Sequence, residues 1–435
     1  MKKRILIISE LFFPLNLIGA VRPTKLAKYL QLKGYDVTVF TTDECLGMDK
    51  VAPDLPYRVI YAENKTNPES NRIHNVIGNS ASKKKKATSY QDSFIYMMIR
   101  NLKTTKRQYL YHKKGKVFSR IFCDYVNTGK LKLEDFDFVF STFGPIGSLL
   151  AGMEAKKRNP ELIWINDFRD PMVSQEMPKL FVPYYGYLQR KSINLAEHSV
   201  TVSNGYQKRM VFPEMKGNLS VIPNGYDKDD FPAADPIDQN DKFSFAYVGT
   251  LYAGKRDVSK LFEKIKELID EGVLQKKDVV FHYAGQGGRF LNLQAEKAGL
   301  SDIVIDHGLV DRNESLRIQA SVRFLVLATW NDLGEEGVFP GKILEYMLFK
   351  KPIVSLVSGR LADSEVTQVI NSYRLGVSYE SADKNTEQQL YEWLKAQAVQ
   401  FNNGKPVIFD PDSEGIEQRY DWENIVKRFC ELIDG

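Results

Sequence analysis

Residues 5–42 read ILIISELFFPLNLIGAVRPTKLAKYLQLKGYDVTVFTT. Two short apolar runs, Ile5–Ser9 and Tyr35–Thr41, bracket a helical pattern from Thr24 to Leu32 that Gly34 ends. A short continuous apolar run marks a strand covered on both faces, and apolar residues every three to four positions mark a helix lying on that sheet. Strand, helix, strand in this order predicts a parallel sheet. Working outward, strands are expected at Phe136–Ser141, Leu162–Asn166, Ser199–Ser203 and Ser220–Ile222, the last stopped by Pro223-Asn224-Gly225. Residues 226–242 hold six Asp against two Lys and read as a linker.

A second βα series follows. Strands are expected at 244–248, 279–284, 303–306, 323–328 and 352–356, and helices at 257–270, 289–298, 314–320 and 341–349. Ile416–Ile433 has the pattern of one further amphipathic helix. The predicted architecture is α/β with two doubly wound domains, residues 1–225 and 243–412, joined by 226–242 and followed by a C-terminal helical segment, 413–435.

Composition narrows the function classes. The chain has 435 residues, 43% apolar and 26% charged, which excludes collagen-like, mucin-like and wholly disordered classes and suffices for two cores. Cys45, Cys123 and Cys430 are too scattered for a disulfide framework or a zinc site and read as free thiols of a reducing compartment. The N-terminal apolar run reaches six residues at most before Ser9 and Glu10, so it reads as a strand and not a leader; no stretch is apolar enough to span a membrane. A cytoplasmic protein is expected. Net charge is +5, but Lys83–Arg120 holds nine Lys and three Arg against Asp92 alone, +11, which leaves −6 elsewhere. Phe94, Tyr96, Met97, Met98, Tyr109, Tyr111 and Phe118 are interleaved with these cations. That mixture suits an anionic membrane surface. A nucleic-acid surface, or a solvated loop followed by an ordinary core-facing helix, has the same signature. The five His residues form no motif and read as structural.

Ligands of open parallel sheets sit beyond the carboxyl ends of the strands, and five stretches there could carry chemistry. The loop Pro14–Arg22 contains Gly19 and leads into a helix whose free N–H groups could meet an anion. It lacks G-x-G-x-x-G, which argues against a dinucleotide oxidoreductase. Asn166-Asp167-Phe168-Arg169-Asp170-Pro171 gathers two acids and one Arg, either as a substrate or acid/base site or as an ion pair organising the loop. Gly249–Arg256 (GTLYAGKR) sets glycines, Thr250, Lys255 and Arg256 before a helix, as a diphosphate would require. Gly285 and Gly287 give a second flexible turn after a strand. Finally, Glu335–Met347 (EEGVFPGKILEYM) offers backbone amides around Gly337, Val338, Phe339 and Gly341, a cation at Lys342, and Glu345 one turn later, able to accept from a ribose diol.

The order of these stretches resembles the GT-B-fold, family 4 retaining glycosyltransferases over nearly the whole chain. The resemblance rests on the R-x-x-x-LA layout after the first strand, on VSNGYQKRM, VIPNGYD, YVGTLYAGKR and YAGQGG, and most of all on VFPGKILEYMLFKKPIV. INDFRDP is similar to the D-x-R-D-x-W-P segment of aminosugar transferases in that group, with Met172 near the place of Trp. The resemblance implies two Rossmann-like domains flanking a cleft, with the last helix crossing back onto the first. It implies transfer of a sugar from a nucleotide-diphosphate sugar, UDP most often, with retained anomeric configuration. The acceptor would be a membrane-associated lipid or a polysaccharide in surface glycan synthesis, on the inner membrane face. Gly19 would touch the donor phosphate, Lys255 or Arg256 would neutralise it, and Glu345 would hold the ribose. Asp167 and Asp170 are the acid/base candidates, with Arg22 and Arg169 beside the acceptor. No metal, no cofactor beyond the donor substrate and no nucleic-acid partner are expected. In the family a first Glu stands eight positions before the ribose Glu; here that position is Gly337, with Glu335 and Glu336 adjacent. A GT-B sugar-nucleotide epimerase and a non-catalytic sugar-nucleotide-binding protein are the alternatives.

Overall fold

The computed structural model describes residues 2–47, 50–63, 94–230, 241–252 and 255–434, with the backbone alone for 94–101. Contacts divide the chain into two compact units. The first comprises Met1–Val202, Gln207–Ile222 and Val426–Gly435; the second comprises Ser203–Tyr206 and Pro223–Ile425.

Unit 1 is built on β1 (Arg4–Ile8), β2 (Asp36–Thr42), β3 (Arg58–Ala62), β4 (Phe138–Phe143), β5 (Ile163–Phe168), β6 (His198–Thr201) and β7 (Asn218–Val221). All pairings are parallel, in the order β3-β2-β1-β4-β5-β6-β7. Leu6, Ile8, Val139 and Trp164 are fully buried in its core, which is why these strands read as unbroken apolar runs. The helices are α1 (Ile18–Leu32), α2 (Phe94–Asn127), α3 (Ile146–Arg158), α4 (Val182–Leu195) and α5 (Asn204–Met210).

Unit 2 repeats the plan with β8 (Phe243–Val248), β9 (Val279–Ala284), β10 (Val304–Asp306), β11 (Phe324–Trp330), β12 (Ile353–Ser358) and β13 (Gly376–Glu380). The order is β10-β9-β8-β11-β12-β13, again parallel throughout. Its helices are α6 (Ser259–Asp270), α7 (Gly288–Lys297), α8 (Arg312–Ala320), α9 (Lys342–Phe349), α10 (Glu365–Ser372), α11 (Asn385–Asn402), α12 (Ser413–Tyr420) and α13 (Trp422–Asp434). The strand order doubles back between β1 and β4 in one unit and between β8 and β11 in the other, and such switch points open a crevice for ligands.

Three expectations are corrected. The helix expected at Thr24 begins at Ile18 and runs through Pro23. The single helix expected over 416–433 is two, broken where Asp421 bridges to Tyr226. The start of the supposed linker is ordered within unit 2: Tyr226 donates to the Tyr420 carbonyl at 2.8 Å and Asp227 is buried. Residues 231–240 of that linker, and the Lys83–Ser93 part of the basic segment, lie outside the described residues. The end of α13 counts with unit 1, where Phe429 meets Phe140 edge-on at 5.8 Å and Lys3 pairs with Asp434 at 2.9 Å.

Candidate functional site

Unit 2 gathers most of the expected residues at its switch point. The loop after β8 carries Gly249 to Arg256, and the loop after β11 leads through Glu335 and Gly337 into α9. Arg256 is fixed from both sides. Its Nη1 donates to the Thr250 carbonyl at 3.0 Å and lies 3.4 Å from the Tyr247 hydroxyl. Its guanidinium sits 4.6 Å from the Tyr252 ring and 5.8 Å from that of Trp330. Tyr252 holds a left-handed backbone, φ 44°. Lys255 lies over Trp330 at 5.1 Å and pairs with Glu335 at 3.2 Å. Two buried donors, Arg256 Nε and Trp330 Nε1, have no acceptor among the described residues. A buried donor without an acceptor costs about 1–3 kcal/mol, so two in one place suit a ligand that brings oxygens.

Lys342 opens α9 with Gly341 as its N-cap and Pro340 just outside the helix. A cation is disfavoured at the positive end of a helix. Burial lowers the Lys342 ammonium, Arg256 and Arg312 lower it further, and Glu345 opposes them. Glu345, one turn later, accepts from Arg312 Nη1 at 3.0 Å and is half-buried. Three cations thus converge on one helix N-terminus against a single carboxylate, a field that favours a multiply charged anion.

Gly337 explains the missing first Glu. It has φ 81°, and a Cβ there would lie 2.6 Å from the Tyr206 amide and 2.7 Å from Gly205. Its carbonyl accepts from Ser203 Oγ at 2.9 Å. No side chain fits there without a shift of the facing backbone, and of the two neighbouring carboxylates Glu335 is held by Lys255 at 3.2 Å. Gly285 and Gly287 form the turn beside this site: Gly285 abuts the Gly249 backbone, and Gly287 caps α7. Phe339 stacks on Tyr420 at 6.0 Å, so its ring serves packing. His282 and His307, which the sequence did not connect, bond at 3.0 Å, but on β9 and beyond β10, at the sheet edge.

Unit 1 is arranged differently. Asp167, fully buried, pairs with Arg22 at 2.8 Å and accepts from Thr142 at 2.8 Å; Arg22 also donates to the Ile222 carbonyl at 3.0 Å. The acid/base expectation for Asp167 is therefore corrected: it is sealed in an ion pair, and the loop-organising alternative fits. Asp170 remains exposed. Arg169 Nη1 donates to the Gly19 carbonyl at 2.6 Å and Nε to that of Phe143 at 3.3 Å. Burial lowers the Arg169 guanidinium, against the pull of Asp167 and Asp170. Glu10 was missed. It follows β1 at the switch point, and its carboxylate accepts from the Gly147 amide of α3 at 2.7 Å. Burial pushes its carboxyl up to about 7, with the Gly147 amide pulling the other way. Trp330 and Arg312 were missed as well; the available signal was a Trp ending a buried strand. Among the described residues no cluster of His, Cys, Asp and Glu could hold a metal, and no helix is long and apolar enough to cross a membrane.

These two Rossmann-like units define the GT-B fold. Residues 242–375, within unit 2, match the family described as "Glycosyl transferases group 1". Among solved structures, the chain is similar to sucrose-phosphate synthase from Thermosynechococcus elongatus (14% identity, TM-score 0.61, covering 100% of this chain and 98% of that one). It is also similar to the lipopolysaccharide outer core galactosyltransferase WaaB (14%, TM-score 0.52, 99% of each). A third is trehalose 6-phosphate synthase from Burkholderia multivorans (10%, TM-score 0.59, 99% and 98%). At these identities the likeness is one of fold. Comparison with curated sequences found no match.

Proposed function

We propose that the protein is a retaining glycosyltransferase that takes a UDP-sugar as donor and a membrane-associated lipid or growing polysaccharide as acceptor. The observation that carries this reading is the cationic N-terminus of α9, with Arg256, Lys342 and Arg312 around Glu345 and two buried donors that have no acceptor among the described residues. Glu345 accepts from the ribose diol. Arg256 and Lys342, with the amides of 338–341, neutralise the diphosphate. Gly19, in the first turn of α1, offers its amide to a donor phosphate. In the reaction the bond from the anomeric carbon to the diphosphate oxygen breaks. The acceptor oxygen then bonds to that carbon on the same face, and its proton passes to the departing phosphate oxygen. No protein nucleophile takes part, so the residues act by positioning and by stabilising leaving-group charge. These cations would do that work with no metal.

The test is NMR of the product from a panel of UDP-sugars, using hydrolysis where no acceptor is known. An α-configured sugar from an α-configured donor supports the reading; a β-configured product, or donor epimerisation, overturns it.

The acceptor side draws on α2. Leu102, Tyr109 and Leu110 are exposed there among the exposed Lys103, Lys106, Arg107, Lys113 and Lys114. Exposed apolar residues among cations suit the inner face of an anionic bilayer at about 1 kcal/mol per charge. Sedimentation with phosphatidylserine vesicles, weakened by Lys106→Glu and Lys113→Glu, would support that placement; equal binding by the variants would contradict it.

A further inference from the structure

The segment after β5 and the first turn of α1 fit each other in a way neither acid/base chemistry nor simple packing requires. In an α-helix the N–H of residue 23 would donate to the carbonyl of residue 19. Residue 23 is proline, which has no N–H and whose ring crowds that carbonyl. The Gly19 carbonyl is thus without its helical donor, inside a helix that continues to Leu32. Arg169 supplies the missing donor through Nη1 at 2.6 Å.

The second point of contact lies one turn away. Arg22 stands three residues after Gly19, on the same face of α1. Asp167 lies in β5 and Arg169 stands two residues on, just past the strand's end. The acid and the base, two residues apart, meet targets three residues apart on α1. Both contacts are made: Arg22 with Asp167 at 2.8 Å, and Gly19 with Arg169 at 2.6 Å. A Cβ on residue 19 would lie 2.6 Å from Leu11 Cδ1 and 2.8 Å from Arg169 Nη1.

We infer that Asp167 and Arg169 form a two-point clamp on the first turn of α1, and that Pro23 makes the second point necessary. Arg169 is a positioning residue: through the Gly19 carbonyl it holds the Gly19–Ala20 peptide, next to the Gly19 amide that the proposed function turns to the donor phosphate. This rests on the reading above for the role of that amide. Asp167 anchors the helix through Arg22, and Arg169 secures the one carbonyl of the first turn that Pro23 leaves without its helical donor.

The arrangement yields a specific rescue. Pro23→Ala restores a backbone N–H that can bond the Gly19 carbonyl, so it should replace what Arg169→Gln removes. The experiment compares the full-length wild type, Arg169→Gln, Pro23→Ala and the double variant. Two readouts are used: hydrogen–deuterium exchange of peptides covering residues 15–30, and kcat and KM for UDP-glucose hydrolysis. Arg169→Gln is expected to speed exchange in the first turn and to lower kcat/KM about tenfold, as small misplacements do. Pro23→Ala alone should change little. The double variant should regain protection and most of kcat/KM. If the double variant is no better than Arg169→Gln in both readouts, the clamp is overturned. If protection returns but kcat/KM does not, Arg169 acts on substrate directly and its positioning role is overturned. Should wild type neither bind nor hydrolyse UDP-glucose, the functional reading fails on that donor, while the exchange arm still decides whether Pro23 and Arg169 share the Gly19 carbonyl.

Discussion

The two switch points are built from the same strand order and treat their charged groups in opposite ways. In unit 1 the charged groups are spent on the protein itself: Asp167 on Arg22, Arg169 on Gly19, Glu10 on Gly147. In unit 2 they are gathered and partly unspent. Arg256 Nε and Trp330 Nε1 have no acceptor among the described residues, and Lys342 faces two other cations. A site whose charges are satisfied internally holds a shape. A site whose charges repel one another waits for an anion. In the proposed function, unit 2 neutralises the donor's charge and unit 1 presents backbone groups.

The largest effect expected from this contrast is on stability in unit 1. Asp167→Asn leaves Arg22 buried without its counter-charge, which costs about 3–5 kcal/mol. Chemical denaturation should register that loss. A change under 1 kcal/mol would mean that the pair is not structural.

In unit 2 the effect should fall on turnover. Arg256→Ala should lower kcat by about 10²–10³, the scale of removing one donor to a developing charge, with stability nearly unchanged. Lys255→Ala should do far less, because Lys255 is exposed and already paired with Glu335. The reverse ranking, measured by donor hydrolysis, would exchange their roles.

The smallest effect tests the half-buried Glu10. Its carboxyl is raised in the folded state, from 4.5 to about 7. The folded protein therefore holds this proton more tightly than the unfolded chain. The corresponding stability is present below about pH 4.5 and is lost as pH rises through about 7. The shift corresponds to an upper bound on the order of 3 kcal/mol. Glu10→Gln should flatten the fall of Tm between pH 5 and 8, and an unchanged slope would show that Glu10 is not the group responsible.

Much of the fold was legible because buried parallel strands announce themselves as apolar runs. Ile5–Ser9, Val279–Ala284 and Arg323–Ala328 all lead to strands at or within two residues of the expected bounds. The Lys342–Glu345 turn was legible from local spacing alone. What escaped depends on distance along the chain. Arg22 and Asp167 are 145 residues apart, and Arg169 and Gly19 are 150 apart. Without those partners, the helix was expected to start only at Thr24, and Asp167 looked like a free acid at a strand end. Trp330 was hidden because a Trp closing a strand looks like core. The break at Asp421 was hidden because amphipathic spacing continues across it.

The central claim is that Glu345 holds the ribose of a nucleoside diphosphate at the cationic start of α9. The measurement that tests it most directly is the thermal shift given by UDP, GDP, dTDP and CMP to wild type and to Glu345→Ala. A ligand at a hundred times its Kd adds about 2.7 kcal/mol to the folded state. The account predicts a clear rise in Tm with UDP for wild type and its loss in a folded Glu345→Ala. An equal rise in both proteins, or no rise with any nucleotide, would contradict it.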